Sequence, residues 1–269
     1  MNDRRNYRRD DRRNDRRPAP APVEEVEGQL EGRNALTEAL RSGRTIDKVF
    51  IAAGETDRGL QRLAAEAKEA GAVVVPVDRR KLDAMSFTKA HQGVITLAAA
   101  HEYCSIDDIL EEAASRGENA LIVICDELTD PHNLGAIMRS AECAGAHGVI
   151  IPKRRSVGLT ATVAKASAGA VEYMKVARVT NINAAIAELK EKGVWIFGTA
   201  AEGSIPMYQA DLTRPAAIVI GNEGDGMSPL VRKNCDVTVS IPMRGRISSL
   251  NASAAASILL YEAVRQRIG

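Results

Sequence analysis

Three short segments of the chain concentrate the residue types that could do chemistry. The first runs from Asp126 to Arg139 and reads D-E-L-T-D-P-H-N-L-G-A-I-M-R. Asp130-Pro131 sets up a helix start, with Asn133 as a natural N-cap. Arg139 follows an apolar stripe of Leu134, Ile137 and Met138, and reads either as a snorkelling surface residue or as a functional cation. The second segment, Ile218 to Met227, is I-V-I-G-N-E-G-D-G-M. Gly221, Gly224 and Gly226 after an apolar run suit a backbone that turns sharply and lets a ligand approach closely. Glu223 inside that turn is a plain loop residue or a placed hydrogen-bond acceptor. The third segment, Ile241 to Ser253, is I-P-M-R-G-R-I-S-S-L-N-A-S. Ser248, Ser249, Asn251 and Ser253 are more than one helix cap requires, and with Arg244 and Arg246 they suit phosphate or ribose contacts.

The usual nucleotide signatures are missing. There is no G-x-G-x-x-G and no Gly-Lys dipeptide, which removes the dinucleotide fingerprint and the Walker A loop. No G-x-S-x-G elbow occurs, and aromatic residues make up only 3% of the chain, too few for a base-stacking platform. Cys104, Cys125, Cys143 and Cys235 form no C-x-x-C pair and the histidines are scattered, so neither a zinc site nor a disulfide framework is expected. Reduced, mostly buried thiols are the expectation, as in a cytoplasmic protein.

Alternating elements must position these segments. Helices are expected over 33–42, 59–70 and 79–85, and strands over 48–52, 73–77 and 94–98, giving an α/β unit of about seventy residues. A polar linker from Tyr103 leads into an amphipathic helix ending at Gly117. Beyond it, strands are expected at 120–125, 148–151, 194–198, 216–221 and 237–241, with helices at 133–144, 160–168, 181–192 and 251–267. Strand, helix, strand in this order means a parallel sheet with helices on both faces. Ligands of such sheets sit at the carboxyl ends of strands, where all three segments fall.

With 269 residues, 45% hydrophobic and 26% charged, the chain resembles an ordinary globular protein. No apolar run approaches the ~18 residues of a membrane helix. The Arg-rich start has no apolar segment behind it, so secretion and membrane insertion are not expected. The net charge of +1 conceals an asymmetry, since residues 1–17 carry a net +4 and the remainder −3. Residues 1–23 read as a disordered Arg/Asp-rich tail with a Pro-Ala linker, serving as an RNA-binding arm or as a solubilising extension.

Together the three segments resemble the SPOUT superfamily, specifically the SpoU/TrmH-type RNA ribose 2′-O-methyltransferases. N-L-G-A-I-M-R at 133–139, I-G-N-E-G-D-G at 220–226 and I-P-M-x-G-x-x-S-S-L-N-A-S at 241–253 follow that family's order and spacing. Residues 28–103, with E-G-R-N-A-L near the start and H-Q-G-V near the end, look like the substrate-binding domain of the bacterial 23S rRNA guanosine branch. The resemblance implies a small α/β substrate-binding domain over 27–100 and an α/β domain with a parallel sheet and a deep trefoil knot over 105–269, an exception to unknotted topology. It also implies S-adenosylmethionine as methyl donor, held at Thr199, Gly221, Ile241 and Leu250, with no metal. The implied partners are 23S rRNA or a ribosomal precursor and a second copy of the chain, in the cytoplasm and away from membranes.

For the reaction, the resemblance implies Arg139 as the central residue, with Asn133, Glu223, Ser249 and Asn251 orienting it, the ribose and the cofactor. The family scheme gives position 139 the task of removing the 2′-hydroxyl proton. A guanidinium, with a pKa above ~12, is better suited to binding the adjacent phosphate and the developing alkoxide. A tRNA ribose methyltransferase and a non-catalytic ribosome-assembly factor are the alternative readings.

Overall fold

Val73–Val77 and three other short runs near the start of the chain pair into a four-stranded sheet. The computed structural model describes residues 28–54, 56–99, 101–200, 204–222 and 224–268. The tail expected over 1–23 therefore lies outside the described residues, as does Glu223. In the first unit, β1 (Gln29–Glu31), β2 (Ile46–Ala52), β3 (Val73–Val77) and β4 (Val94–Ala98) lie in the order β1-β4-β2-β3. Strands β2 and β3 are parallel, whereas β4 runs antiparallel to both β1 and β2. Helices α1 (Arg33–Arg41), α2 (Arg58–Glu69) and α3 (Arg79–Met85) connect them, and the last two start at aspartate caps, Asp57 and Asp78. Strand β1 went unforeseen because three residues show too little alternation to be read.

Helix α4 (Ile106–Ser115) opens the second unit, with a capping box between Ser105 and Asp108. Then follow β5 (Leu121–Cys125), α5 (Pro131–Cys143), β6 (Gly148–Pro152), α6 (Ala161–Ala166), β7 (Val176–Val179), α7 (Ile182–Glu191) and β8 (Trp195–Thr199). The chain ends with β9 (Ile205–Pro206), β10 (Ala216–Ile220), α8 (Pro229–Asn234), β11 (Val237–Ser240) and α9 (Ala252–Ile268). These seven strands form one sheet in the order β7-β6-β5-β10-β8-β11-β9, and every pairing is parallel.

Burial on both faces explains why β5 and β10 read as unbroken apolar runs. Leu121, Val123 and Cys125 join a core with Leu134, Ile137 and Met138 of α5 and Leu259 and Leu260 of α9. Ile122 and Ile124 face the other way, onto Ile109 of α4 and Ile182, Ile186 and Leu189 of α7. The strand period of two residues thus feeds two separate helix layers.

Three expectations need correction. Asn133 does not cap α5: Pro131 occupies its first turn, so the cap moves back to Asp130, which accepts from His132 N at 2.9 Å. Strands β7 and β9 and helix α8 were not anticipated, since their four, two and six residues carry no clear period. The thiols are also less buried than expected: Cys125 is buried, Cys104 and Cys235 are half-buried, and Cys143 is exposed.

Candidate active site

The carboxyl ends of β8, β10 and β11 enclose two adjoining pockets, of about 370 Å³ and 160 Å³. Thr199, Ser249 and Leu250 line both. Gly221 lines the larger and Ile241 the smaller, so all four residues expected at the cofactor converge on one region.

Tight local geometry builds the floor. After β10 the chain folds back on itself, with Asn222 and Gly226 exchanging two backbone hydrogen bonds of 3.1 Å. The Asn222 side chain accepts from Gly224 N and Asp225 N at 2.9 and 2.8 Å, an Asx turn that fixes the loop. Gly221 is required there, because a Cβ would overlap the backbone of Gly226 and Met227. The Thr199 hydroxyl donates to Val219 O at 2.9 Å, tying the end of β8 to β10.

Asp126, directly after β5, is a positioning residue that sequence reasoning did not single out. It is buried, and its carboxylate accepts from Ser228 N at 2.7 Å while its own N–H donates to Ile220 O at 2.8 Å. It thereby braces the glycine loop from below. Its place at the head of the first segment was the available signal. Arg232, on the unforeseen helix α8, also lines the larger pocket.

The first and third segments meet through an amide pair: Asn251 Nδ2 donates to Asn133 Oδ1 at 2.9 Å. Asn133 is buried within α5, while Asn251 Oδ1 caps α9 by accepting from Ser253 N at 3.0 Å and Ala254 N at 3.4 Å. One step along, Ser140 and Ser257 share a hydrogen bond of 2.7 Å between the same two helices. Arg139 is not gathered into the pocket. Its side chain is exposed on α5 and makes no hydrogen bond or ion pair among the described residues. Arg244 and Arg246 are likewise exposed, on the 241–250 loop outside the pocket linings. No group of three or more metal-ligating side chains occurs among the described residues.

A family model described as the SpoU rRNA methylase family matches residues 120–261. The chain belongs to that family. A second model, for RNA 2′-O ribose methyltransferase substrate binding, matches residues 29–104, so both SpoU elements are present in order. Among relatives, the TrmH family tRNA/rRNA methyltransferase YacO of Bacillus subtilis is 47% identical, over 88% of this chain and 94% of its own length. Among solved structures, the SpoU methyltransferase AviRb of Streptomyces viridochromogenes in complex with AdoMet is similar at a TM-score of 0.58 and 28% identity, over 89% of this chain and 90% of that one. An AdoMet-bound rRNA methyltransferase of Sinorhizobium meliloti is similar at a TM-score of 0.56 and 26% identity, over 88% and 86%. The SpoU fold described above, a parallel sheet preceded by a smaller unit, is thus shared with SPOUT methyltransferases.

Proposed function

We propose that this SpoU-family protein transfers a methyl group from S-adenosylmethionine to a ribose 2′-hydroxyl of 23S rRNA, at a guanosine. The observation that carries the reading is the convergence of Thr199, Gly221, Ser249, Ile241 and Leu250, from three separate strand ends, on one joined pocket. Its size, about 370 Å³ with 160 Å³ adjoining, lies in the range of a small-molecule site. Its walls mix apolar side chains (Leu250, Met227, Ile220) with backbone groups and hydroxyls, a donor set that fits a nucleoside with an amino-acid arm. Bound there, S-adenosylmethionine supplies an electrophilic methyl group on sulfur.

The protein's own part is geometric and electrostatic. Arg139, an exposed fork of donors with no partner among the described residues, is available to an RNA phosphate and to the negative charge that grows on the 2′-oxygen. The guanidinium keeps its proton, so the 2′-hydroxyl proton leaves to phosphate or water. The Asn133–Asn251 bond holds the helix bearing Arg139 in register with the loop bearing Ser249. Ser249, Asn251 and Glu223 orient the ribose and cofactor, and positioning of this kind supplies much of the rate.

Loop 241–250 favours a homodimer, because Met243, Ile247 and Leu250 on it are exposed and a second copy would cover them. The substrate-binding unit over 27–100, the methyltransferase domain over 105–269 and a trefoil knot belong to the same reading. Supporting the knot, the chain after β8 runs out to β9, back across to β10, out to β11 and back to α9. No described helix is long and apolar enough to cross a membrane. An rRNA substrate puts the protein in the cytoplasm.

The test is transfer of labelled methyl to unmodified 23S rRNA and to bulk tRNA, followed by mapping. Label at one guanosine 2′-oxygen of 23S rRNA is expected. Label in tRNA alone overturns the substrate assignment, and cofactor binding without transfer to either RNA overturns the activity.

A further inference from the structure

A cleft of about 460 Å³ separates the two units, and none of the motif residues used above lines it. One wall is α2 and the start of β3; the other is the loop after β6 together with Thr180, just beyond β7. Three cations line it: Lys68 from the first unit, and Lys153 and Arg154 from the second. No carboxylate does. None of the three side chains makes an ion pair or hydrogen bond among the described residues, while Arg155 next to them pairs with Glu127 at 3.0 Å. Lys153 reaches across the cleft, its Nζ lying 3.5 Å from where a Cβ on Gly71 would stand. Three like charges facing one space repel each other, and an anion placed between them would relieve that repulsion.

The cleft is rigid and sits on the working edge of the large sheet. Arg178 of β7, two residues before Thr180, donates to Asp47 Oδ1 at 2.7 Å and to Asp47 O at 3.0 Å. Asp47 lies on β2, beside β3, and both side chains of this pair are only 4% exposed, so the walls are pinned. Lys153 and Arg154 leave the carboxyl end of β6, on the same rim as Asp126, Gly221 and Thr199. In the sheet order β6 is two strand spacings, about 10 Å, from β10 and its glycine loop.

We infer that this cleft is a second, non-catalytic RNA site, in which Lys68, Lys153 and Arg154 hold consecutive backbone phosphates of the strand whose ribose enters the pocket. The inference rests on the RNA methyltransferase reading. A continuous polyanion is the ligand that matches a row of cations beginning at the active-site rim and ending on the other unit. Because phosphates carry no base identity, the cleft sets register and affinity and leaves sequence choice to other contacts.

The test uses the full chain, its Lys153→Ala/Arg154→Ala double variant and, from the opposite wall, Lys68→Ala. RNA affinity is measured against salt with a 23S rRNA fragment, alongside S-adenosylmethionine affinity and the split of kcat from KM. Each lost phosphate contact flattens the log–log salt slope by about 0.7, so the double variant should lose about 1.4 and Lys68→Ala about 0.7. RNA KM should rise on the order of tenfold in the double variant, with kcat at saturating RNA and cofactor affinity within twofold of the parent. Unchanged salt slopes in both variants overturn the inference, as does a parent chain that binds no RNA. A parent that binds RNA without methylating it, yet shows the same slope differences, leaves the cleft standing and removes the catalytic reading instead.

Discussion

In the proposed reaction, Arg139 and the Asn133–Asn251 pair divide the labour at the residue scale. The arginine's fork matters for its shape, since a lysine carries the same charge but cannot engage two oxygens at once. Arg139→Lys should therefore lower kcat on the order of 10²-fold while leaving S-adenosylmethionine affinity unchanged, as read by single-turnover methylation and calorimetry. Asn251→Ala removes both the α9 cap and the bond to Asn133. Loss of a cap costs about 1–2 kcal/mol, so a matching drop in denaturant stability is expected, together with slower methylation. His147 shows a third kind of constraint: its Nδ1 accepts from Leu121 N at 3.0 Å and its Nε2 meets Glu118 at 3.0 Å. Burial holds its pKa below the ordinary 6.5, against the pull of Glu118. The unfolded chain then binds the proton more readily, so stability is full above about pH 6.5 and falls as pH drops below it. Urea titrations between pH 8 and 5 should show that loss, and the non-titrating His147→Gln should flatten it.

At the scale of elements, the first segment is as much a packing motif as a chemical one. Helix α5 crosses α6 at Gly135, where a Cβ would stand 2.5 Å from Ala166 Cβ and 2.9 Å from Ser167 N. Backbone lies on the far side, so it cannot swing away as a flexible side chain would. Gly135→Ala should push α5 outward and cost about 1–3 kcal/mol, with reduced activity because Arg139 rides on the same helix. Thermal unfolding and methylation assays on one preparation would check both effects. In the first unit, Glu31 organises the turn after α3 by accepting from the hydroxyls of Thr88 and Ser86 and from Phe87 N. Burial opposes ionisation there, but these bonds outweigh it and hold the carboxyl at about 2.

Considered whole, the molecule is two sheets locked by one buried ion pair. Asp47 and Arg178 meet across the junction, and Tyr103 from the linker donates to the same carboxylate at 2.8 Å. Burial pushes the Asp47 carboxyl up and Arg178 and Tyr103 draw it down. Asp47 Oδ2 and Arg178 Nε have no hydrogen-bond partner, so the charges of this buried pair are compensated mainly by each other and by the Tyr103 hydroxyl. Arg178→Met takes away the cation paired with this buried carboxylate, with an expected cost of about 3–5 kcal/mol. Restoring neutrality with Asp47→Asn in the same chain should recover part of it, as a double-mutant cycle would measure.

Local chemistry was enough to read most elements and the three site segments. The run Ala120 to Cys125, the glycine stops after α1 and α2, and the clustered small polar residues before α9 act within a few positions of themselves. The same locality made the family resemblance legible, because its motifs are contiguous. Short elements such as β1, β9 and α8 escaped, since they are stabilised by partners elsewhere and not by their own pattern. Only the tertiary structure decided that β10 inserts beside β5, that Asn133 pairs with Asn251 118 positions away, and that Asp47 meets Arg178 across 131. Contacts at such separations depend on sheet order and on how two units dock, and no window of neighbouring residues carries that information.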